Sequence, residues 1–548
     1  MLCDLTQHNS ESIPLPYYPS IQANCPSSLL RNKAKNALSL AKTISPVLAR
    51  AKIGKSFDST IRSESNFRFG HEKKQKSSYN FPRNIIFAAK KFRNSHFGND
   101  GFLYKQQTIM KFYDREQEIE FLQDTAEQAK KNARFTVVTG RRRIGKTSLI
   151  AKAYENMSFV YFFVARKAES DLCENFQDEM EQKLGIPMLG RSRKFTELFE
   201  YLMKLSVNRS FTLVIDEFQE FFKVNKAIYS EMQDIWDRYE KKSHINLLVC
   251  GSVYSMMQKI FKDKKEPLYG RSTGELRVQP FRPSVLKEIM SEARPDYSKE
   301  SLLALFTFTG GVAKYVQLLV DAGAITKDAM IDYIIGPNST FISEGKNNLV
   351  EEFGRDYGVY FSILSCIARG KNTRSEIEDV IGKEVGGYLT NLEKEYELIR
   401  KRQPLFEKSG TKNVRYEIDD VFYCFWFRFI FKYSYILEIE NYAKVREIVR
   451  RDYETFSGLM LERYFHRIAV ESGRWTRIGR WWDRKGENEI DMIAEDELSD
   501  TATFFEIKRQ ASNINPAELQ SKTEVFLNST RQFPGYHIAT RGLSMDDM

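Results

Sequence analysis

The spacing of apolar positions changes several times along this chain, and each change marks a different kind of element. Over residues 114–132 apolar side chains recur at helical intervals, with Ile119 and Leu122 on one face and charges opposite. Short unbroken apolar runs then alternate with helical stretches. Residues 135–139, 159–165, 211–217 and 245–252 are rich in β-branched and aromatic side chains, and 275–280 is a shorter fifth run. Runs of this length without polar alternation predict strands buried on both faces, as in a parallel sheet covered by helices. Helical spacing fills 148–154, 170–206 and 226–242 between them and dominates from about 283 to 400.

Within that last stretch the texture tightens. Residues 359–368, 373–381 and 387–396 predict three short helices, and 398–418 predicts a β-hairpin. Three helices and a hairpin make the pattern of a winged helix. Arg400, Lys401 and Arg402 lead into the wing and suit phosphate contacts. Glu393, Glu395 and Glu397 lie on or beside the candidate recognition helix and repel a major groove, so DNA contact and protein contact both stand as readings. The aromatic stretch 422–435 is too dense for solvent and predicts a buried connecting helix. Residues 452–548 read as helix, three strands, helix, strand.

Residues 1–109 show no sustained apolar period and carry six of the fifteen prolines. Short helices are conceivable at 34–49 and 84–92, but the composition predicts a disordered or poorly structured segment. It holds 17 of the 83 basic residues and 6 of the 73 acidic ones, so the net charge of +10 is concentrated there and the remainder is near neutral. The basic balance is therefore no argument that the folded part binds nucleic acid. Two readings remain for this segment: a basic arm for nucleic acid or targeting, or an upstream stretch ahead of a natural start at Met110. The second is preferred, because Met110-Lys-Phe-Tyr-Asp-Arg-Glu-Gln-Glu has the look of a beginning.

No apolar run reaches the roughly 18 residues of a membrane span. Six scattered cysteines without a C-x-x-C pair argue against a disulfide framework or a zinc site and for a reduced, cytoplasmic compartment. No compact apolar signal segment opens the chain.

The sharpest chemical signal is Gly140-Arg141-Arg142-Arg143-Ile144-Gly145-Lys146-Thr147, a complete G-x-x-x-x-G-K-[ST] loop between a strand and a helix that runs on through Ser148. In that setting backbone N–H groups converge on phosphate. Lys146 is expected on the β/γ-phosphates of ATP, and the Thr147 hydroxyl on Mg2+. Asp216-Glu217 ends the third strand, where a Walker B pair belongs: Asp216 for Mg2+, Glu217 for the attacking water. Ser252 ends the next strand as a candidate γ-phosphate sensor. Arg271, on a Gly-flanked loop, is a candidate arginine finger acting in cis or from a neighbouring copy, which would imply a homo-oligomer. Lys314, in Gly310-Gly-Val-Ala-Lys314, is a candidate sensor from the helical region.

These motifs, with the Asp114-Arg-Glu lead-in and Leu268-Tyr-Gly-Arg-Ser-Thr-Gly-Glu-Leu276, resemble the prokaryotic "archaeal ATPase" family of P-loop proteins, related to AAA+ and STAND ATPases. The resemblance runs from about Met110 to the C-terminus. STAND proteins carry Gly-x-Pro where this chain has Gly311-Val-Ala313, which weakens the expected nucleotide-sensing contact there. The family also implies a C-terminal domain similar to restriction-endonuclease-like nucleases. Its pattern falls on Glu462, Asp491, Glu506 and Lys508. Asp491 and Glu506 would bind Mg2+, Lys508 would stabilise the attacking hydroxide or the developing charge, and Glu462 would add a metal or water contact. The alternative is a surface ladder of ion pairs.

The expected class is thus α/β: a P-loop NTPase parallel sheet (110–282), a helical lid (283–356), a winged helix with its aromatic connector (357–435), and a C-terminal α/β nuclease-like domain (436–548). The expected function is an ATPase that drives or gates DNA processing. The competing expectation is a STAND-like regulatory ATPase whose C-terminal domain only binds nucleic acid or a partner.

Overall fold

The computed structural model describes residues 110–548 except Ser158, residues 187–189 and Ser409. The expectations for residues 1–109 lie outside the described residues.

Five parallel strands form the first sheet: β1 (Arg134–Thr139), β2 (Phe159–Phe163), β3 (Phe211–Asp216), β4 (Ile245–Cys250) and β5 (Gly274–Arg277). Their spatial order is β2-β3-β4-β1-β5. Every position of β3 and β4 is buried, which explains their unbroken apolar runs. Alternate side chains supply two cores. Val138, Val214 and Leu248 face one, while Val137, Leu213, Ile215, Leu247 and Val249 face the other. β1 therefore lies inside the sheet, and the loop that follows it emerges beside the end of β4, where phosphate sites form in such folds.

Helices Pro283–Ala293, Lys299–Thr309, Ala313–Asp321, Lys327–Ile334 and Thr340–Phe353 follow. Next come Tyr357–Ala368, Arg374–Ile381 and Gly386–Lys394, then an antiparallel hairpin of β6 (Ile399–Arg402) and β7 (Arg415–Ile418). The second short helix starts at a capping box between Thr373 and Glu376.

The aromatic stretch is not one regular helix. An α-helical turn, Val421–Phe425, passes into π-helix at Trp426–Phe431 and then into a short helix at Ser434–Glu438. The packing of Trp426 accompanies the change. Its indole N–H donates to the Ile342 carbonyl at 3.1 Å, and a Cβ on Gly345 would lie 2.3 Å from its ring. A widened turn is a common response where bulky side chains crowd a helix at a fixed contact.

The C-terminal segment opens with a 30-residue helix, Tyr442–Glu471, ten residues earlier than the pattern suggested. Val445, Ile448 and Val449 bury its first turns. Strands β8 (Arg477–Trp482), β9 (Glu489–Asp496) and β10 (Thr501–Ile507) form an antiparallel meander. Helix Pro516–Thr530 then crosses to β11 (His537–Leu543), which pairs parallel with β10.

Segments that read as separate domains share one interior. A single core runs from Val138 in the first sheet through the lid, the hairpin region and the long helix to Met492 and Phe505 in the second sheet. It crosses the expected boundaries at 282, 356 and 435. Among the described residues no helix is long and apolar enough to cross a membrane.

Candidate functional site

The loop after β1 is built by backbone constraints. Gly140 turns with φ +150°, and a Cβ there would stand 2.8 Å from the Val278 carbonyl. Arg143 and Gly145 take positive φ of 71° and 99° before helix Lys146–Ala153 begins. Lys146 is buried, and its ammonium donates to the carbonyls of Gly140 at 2.8 Å and Arg141 at 3.3 Å. Burial pulls its pKa below the usual lysine value, although Cys250, Glu217 and Asp216 oppose that. Phosphate oxygens entering the loop would replace weak carbonyl partners with charged ones.

The two acids expected as a Walker B pair have different partners. Asp216 Oδ2 accepts from Thr147 Oγ1 at 3.0 Å and from the Tyr161 hydroxyl at 2.5 Å, while Oδ1 accepts from Cys250 Sγ at 3.1 Å. Burial, and then Asp216, push both the phenol and the thiol upward, so each stays protonated and donates. A hydroxyl and a carboxylate oxygen side by side at a phosphate loop are the donor set Mg2+ takes with ATP, and these residues fit it. Glu217 faces another way. Its backbone is left-handed at φ +54°, a strained state for a residue with a side chain. Ser252 Oγ donates to its two oxygens at 3.0 and 2.8 Å, and Gln219 Nε2 donates to one of them.

The three arginines of the loop were read as nucleotide contacts. Their side chains are instead committed to acids on later elements. Arg141 pairs with Asp420 and lies 4.6 Å from the Tyr423 ring centroid, Arg142 pairs with Glu351, and Arg143 reaches Glu344 at 2.8 Å. Ile144 is buried in the core and Ser148 is exposed on the first helical turn. What remains for phosphate is the backbone together with Lys146 and Thr147.

Lys314 does approach the loop. Its backbone N–H donates to the Arg143 carbonyl at 3.1 Å, while its ammonium is held by Gln317 at 3.2 Å. Arg271 does not. It precedes β5, whose Gly274 is level with Thr136 near the start of β1, so Arg271 lies at the end of the sheet opposite the loop. There it pairs with Asp237 at 3.0 Å. An in-cis finger role is excluded by that placement.

In the second sheet Asp491 and Glu506 lie on the paired strands β9 and β10, and Lys508 just beyond β10. Both carboxylates converge on one ammonium: Lys508 Nζ is 3.4 Å from Asp491 Oδ2 and 3.5 Å from Glu506 Oε1. Burial works against the Lys508 charge, but Asp491 and Glu506 outweigh it and raise its pKa. Asp491 Oδ2 also accepts from the Ile507 N–H at 2.8 Å, and Glu506 Oε2 from the Asn515 N–H at 3.3 Å. Lys522 stands 3.8 Å from Glu506 and was missed by the sequence reading, since it comes from a separate helix. Glu462 feels the charges of Asp491 and Lys508 but does not share the ion pairs of Lys508. Arg480 pairs with Glu462, and burial pushes its carboxyl up to about 7 against that arginine. Among the described residues no group of three or more His, Cys, Asp or Glu is placed to hold a metal ion. Two carboxylates therefore face the Lys508 ammonium, and a divalent ion here would have to take its remaining ligands from water and phosphate oxygens.

One cavity of about 900 Å³ reaches from Gly140, Arg141 and Ser252 past the hairpin to Glu462, Arg480 and Asp491. The arginines of the β6–β7 hairpin pair with acids, Arg400 while still largely exposed. Arg400 pairs with Asp419 at 2.6 Å, and Arg402 with Glu417 at 3.2 Å.

A phosphate loop on an inner parallel strand, with an Asp-Glu pair at the end of β3, one strand removed across β4, defines a P-loop ATPase. Residues 112–319 match the family described as an ATPase domain predominantly from Archaea, and residues 426–520 match one described as archaeal and bacterial proteins of unknown function. An uncharacterised protein of Methanocaldococcus jannaschii is 30% identical over 410 residues, spanning 72% of this chain and 87% of its own. The chain belongs to this archaeal ATPase family. Solved structures similar to it include the Walker-type ATPase of Pyrococcus abyssi, at 20% identity and TM-score 0.45 over 58% of this chain and 96% of that one. Another is the Aeropyrum pernix ORC2 protein in ADPNP–ADP complexes, at 14% identity and TM-score 0.41 over 58% and 95%.

Proposed function

We propose that this ATPase uses its nucleotide state to gate hydrolysis of DNA phosphodiesters at a restriction-endonuclease-like C-terminal domain. The observation that carries the second half of this reading is the convergence of Asp491 and Glu506 on Lys508. A surface ion-pair ladder would leave these carboxylates in solvent, yet Glu506 is only 5% exposed. Burying charge without a use is unfavourable, so such a group more often marks a site. The helix–meander–helix–strand order supports the nuclease-like assignment, as three helices and a hairpin support the winged helix.

In the ATPase half, Lys146 and the loop N–H groups bind the β/γ-phosphates, Thr147 and Asp216 hold Mg2+, and Glu217 accepts the proton of the water that attacks the γ-phosphorus. Ser252 fixes the carboxylate of Glu217 in position. In the C-terminal half, Asp491 and Glu506 hold the metal ion, and Lys508 stabilises negative charge as water attacks phosphorus and the P–O bond to the leaving strand breaks. The bound cation would supply Lewis-acid polarisation of the scissile phosphate. As a finger, Arg271 would serve the P-loop of a neighbouring copy.

One observation favours a second reading, a regulatory ATPase with a non-catalytic C-terminal domain: the wing arginines are already paired with acids. The deciding experiment follows nicking of supercoiled and branched DNA by the full chain in Mg2+ or Mn2+, with and without ATP. Cleavage that disappears in Lys508→Ala, and whose ATP response disappears in Lys146→Ala, supports gating. Equal inactivity of wild type and Lys508→Ala, with ATP hydrolysis intact, favours the regulatory reading.

A further inference from the structure

Four residues at the end of β7 connect the two sites. Glu417, Asp419 and Asp420 hold four arginines between them. Asp420 pairs with Arg141 of the phosphate loop. Asp419 pairs with Arg400 on β6. Glu417 accepts from Arg480 of β8 at 3.1 Å and from Arg402 at 3.2 Å. Arg480 in turn pairs with Glu462 and lies 3.5 Å from Glu489. Charge pairs thus run from the phosphate loop to the carboxylate beside Asp491 with one short segment between them.

We propose that Arg480 is a positioning residue that withholds Glu462 from Asp491 and Glu506, and that the segment 417–420 makes this hold answer to the nucleotide bound at the phosphate loop. The inference rests on the proposed nuclease-like reading of the C-terminal domain.

The physical basis is competition for partners. Arg141 is enclosed by Tyr315, Phe422 and Tyr423, with ring centroids 4.6–5.8 Å away, so it cannot move alone. A shift of the phosphate loop on binding nucleotide acts on Asp420. That residue also caps the helix Val421–Phe425, its Oδ1 accepting from the Tyr423 N–H at 3.2 Å. Glu417 lies on the same strand end, three residues away. Arg480 is shared between Glu417 and Glu462, so weakening one pair alters the other. A charge left buried without its partner is unfavourable enough to drive rearrangement. Coupling of this kind is defined by two sites and the element both of them bias.

The test compares hydrogen exchange of the full chain with and without a non-hydrolysable ATP analogue in wild type, Asp420→Asn and Glu417→Gln. In wild type, nucleotide alters exchange at the phosphate loop and at residues 415–420 and 477–482. In both variants the phosphate loop still responds, while the response at 477–482 is lost. Two results overturn the proposal: a wild-type response confined to the phosphate loop, or an unchanged response at 477–482 in either variant. Because the readout needs no cleavage, a chain that leaves DNA intact would sink the nuclease reading while this test still reports. Where cleavage is present, Arg480→Lys keeps the charge and reduces the nucleotide dependence of cleavage less than Arg480→Met does. Equal effects of the two substitutions would also overturn it.

Discussion

Lys146, Glu217 and Ser252 make separable contributions. Lys146→Ala removes the ammonium held at the Gly140 and Arg141 carbonyls and should lower ATP hydrolysis by on the order of a hundredfold or more in a phosphate-release assay. Glu217→Gln keeps the shape but cannot accept a proton. Nucleotide binding should survive by fluorescence titration while turnover falls by about two to four orders of magnitude. Ser252→Ala removes both hydroxyl contacts to Glu217. If Glu217 is the base, as proposed, this substitution should lower kcat while leaving KM nearly unchanged, because the contact is to Glu217. An equal rise in KM would assign Ser252 to substrate binding instead. The loop motif and the strand-end acids were legible in the sequence, since both depend on local spacing. The fate of Arg141, Arg142 and Arg143 was not. Their partners lie on the lid helix and beyond the hairpin, and no spacing rule links an arginine to an acid so distant in the chain.

At the scale of elements, the alternation of apolar runs gave the five strands and the lid, because a buried parallel sheet leaves little choice of residue. It failed on the aromatic connector, where packing against another helix outweighs the local pattern. Gly345→Ala should destabilise the protein by about 1–3 kcal/mol in chemical denaturation, since its Cβ would meet the Trp426 ring. A neutral result would mean that the π-helical turn relaxes around it. The long helix carries a pH-sensitive group as well. Burial, and then the charges of Arg402 and Arg480, hold His466 down to about 4, against support from Glu417 and further opposition from Arg400. A histidine whose folded pKa lies below its unfolded value of about 6.5 binds protons more readily when unfolded. Its neutral form therefore supports the fold fully above that value, and the support is lost as pH falls from about 6.5 to about 4. The loss is at most about 3 kcal/mol before solvent screening reduces it. Denaturation of His466→Gln at pH 7 and pH 5 should show a smaller drop than wild type.

At the scale of the molecule, composition shifts suggested four folded segments, and the structure joins them through one interior. A sequence reports where its own texture changes, but not whether two apolar faces meet. Calorimetry should accordingly show one cooperative transition for residues 110–548, with calorimetric and van't Hoff enthalpies in agreement. Two resolved transitions, one of them stabilised by ATP, would mean that the ATPase and the C-terminal sheet unfold separately.

The 30-residue helix Tyr442–Glu471 is about 45 Å long at the usual rise per residue. Near its start, Arg450 grips Asp328 and Asp332 of the lid. Near its end, Arg467 donates to the Gly310 carbonyl at 3.0 Å, on the turn that leads into the helix abutting the phosphate loop. Glu462 rides between these grips. A helix is stiff along its axis, so the whole rod works as a shaft with bearings at both ends. Ser457 and Gly458 lie between the first grip and Glu462, so travel of the helical region along that axis reaches Glu462 as far as this turn stays straight.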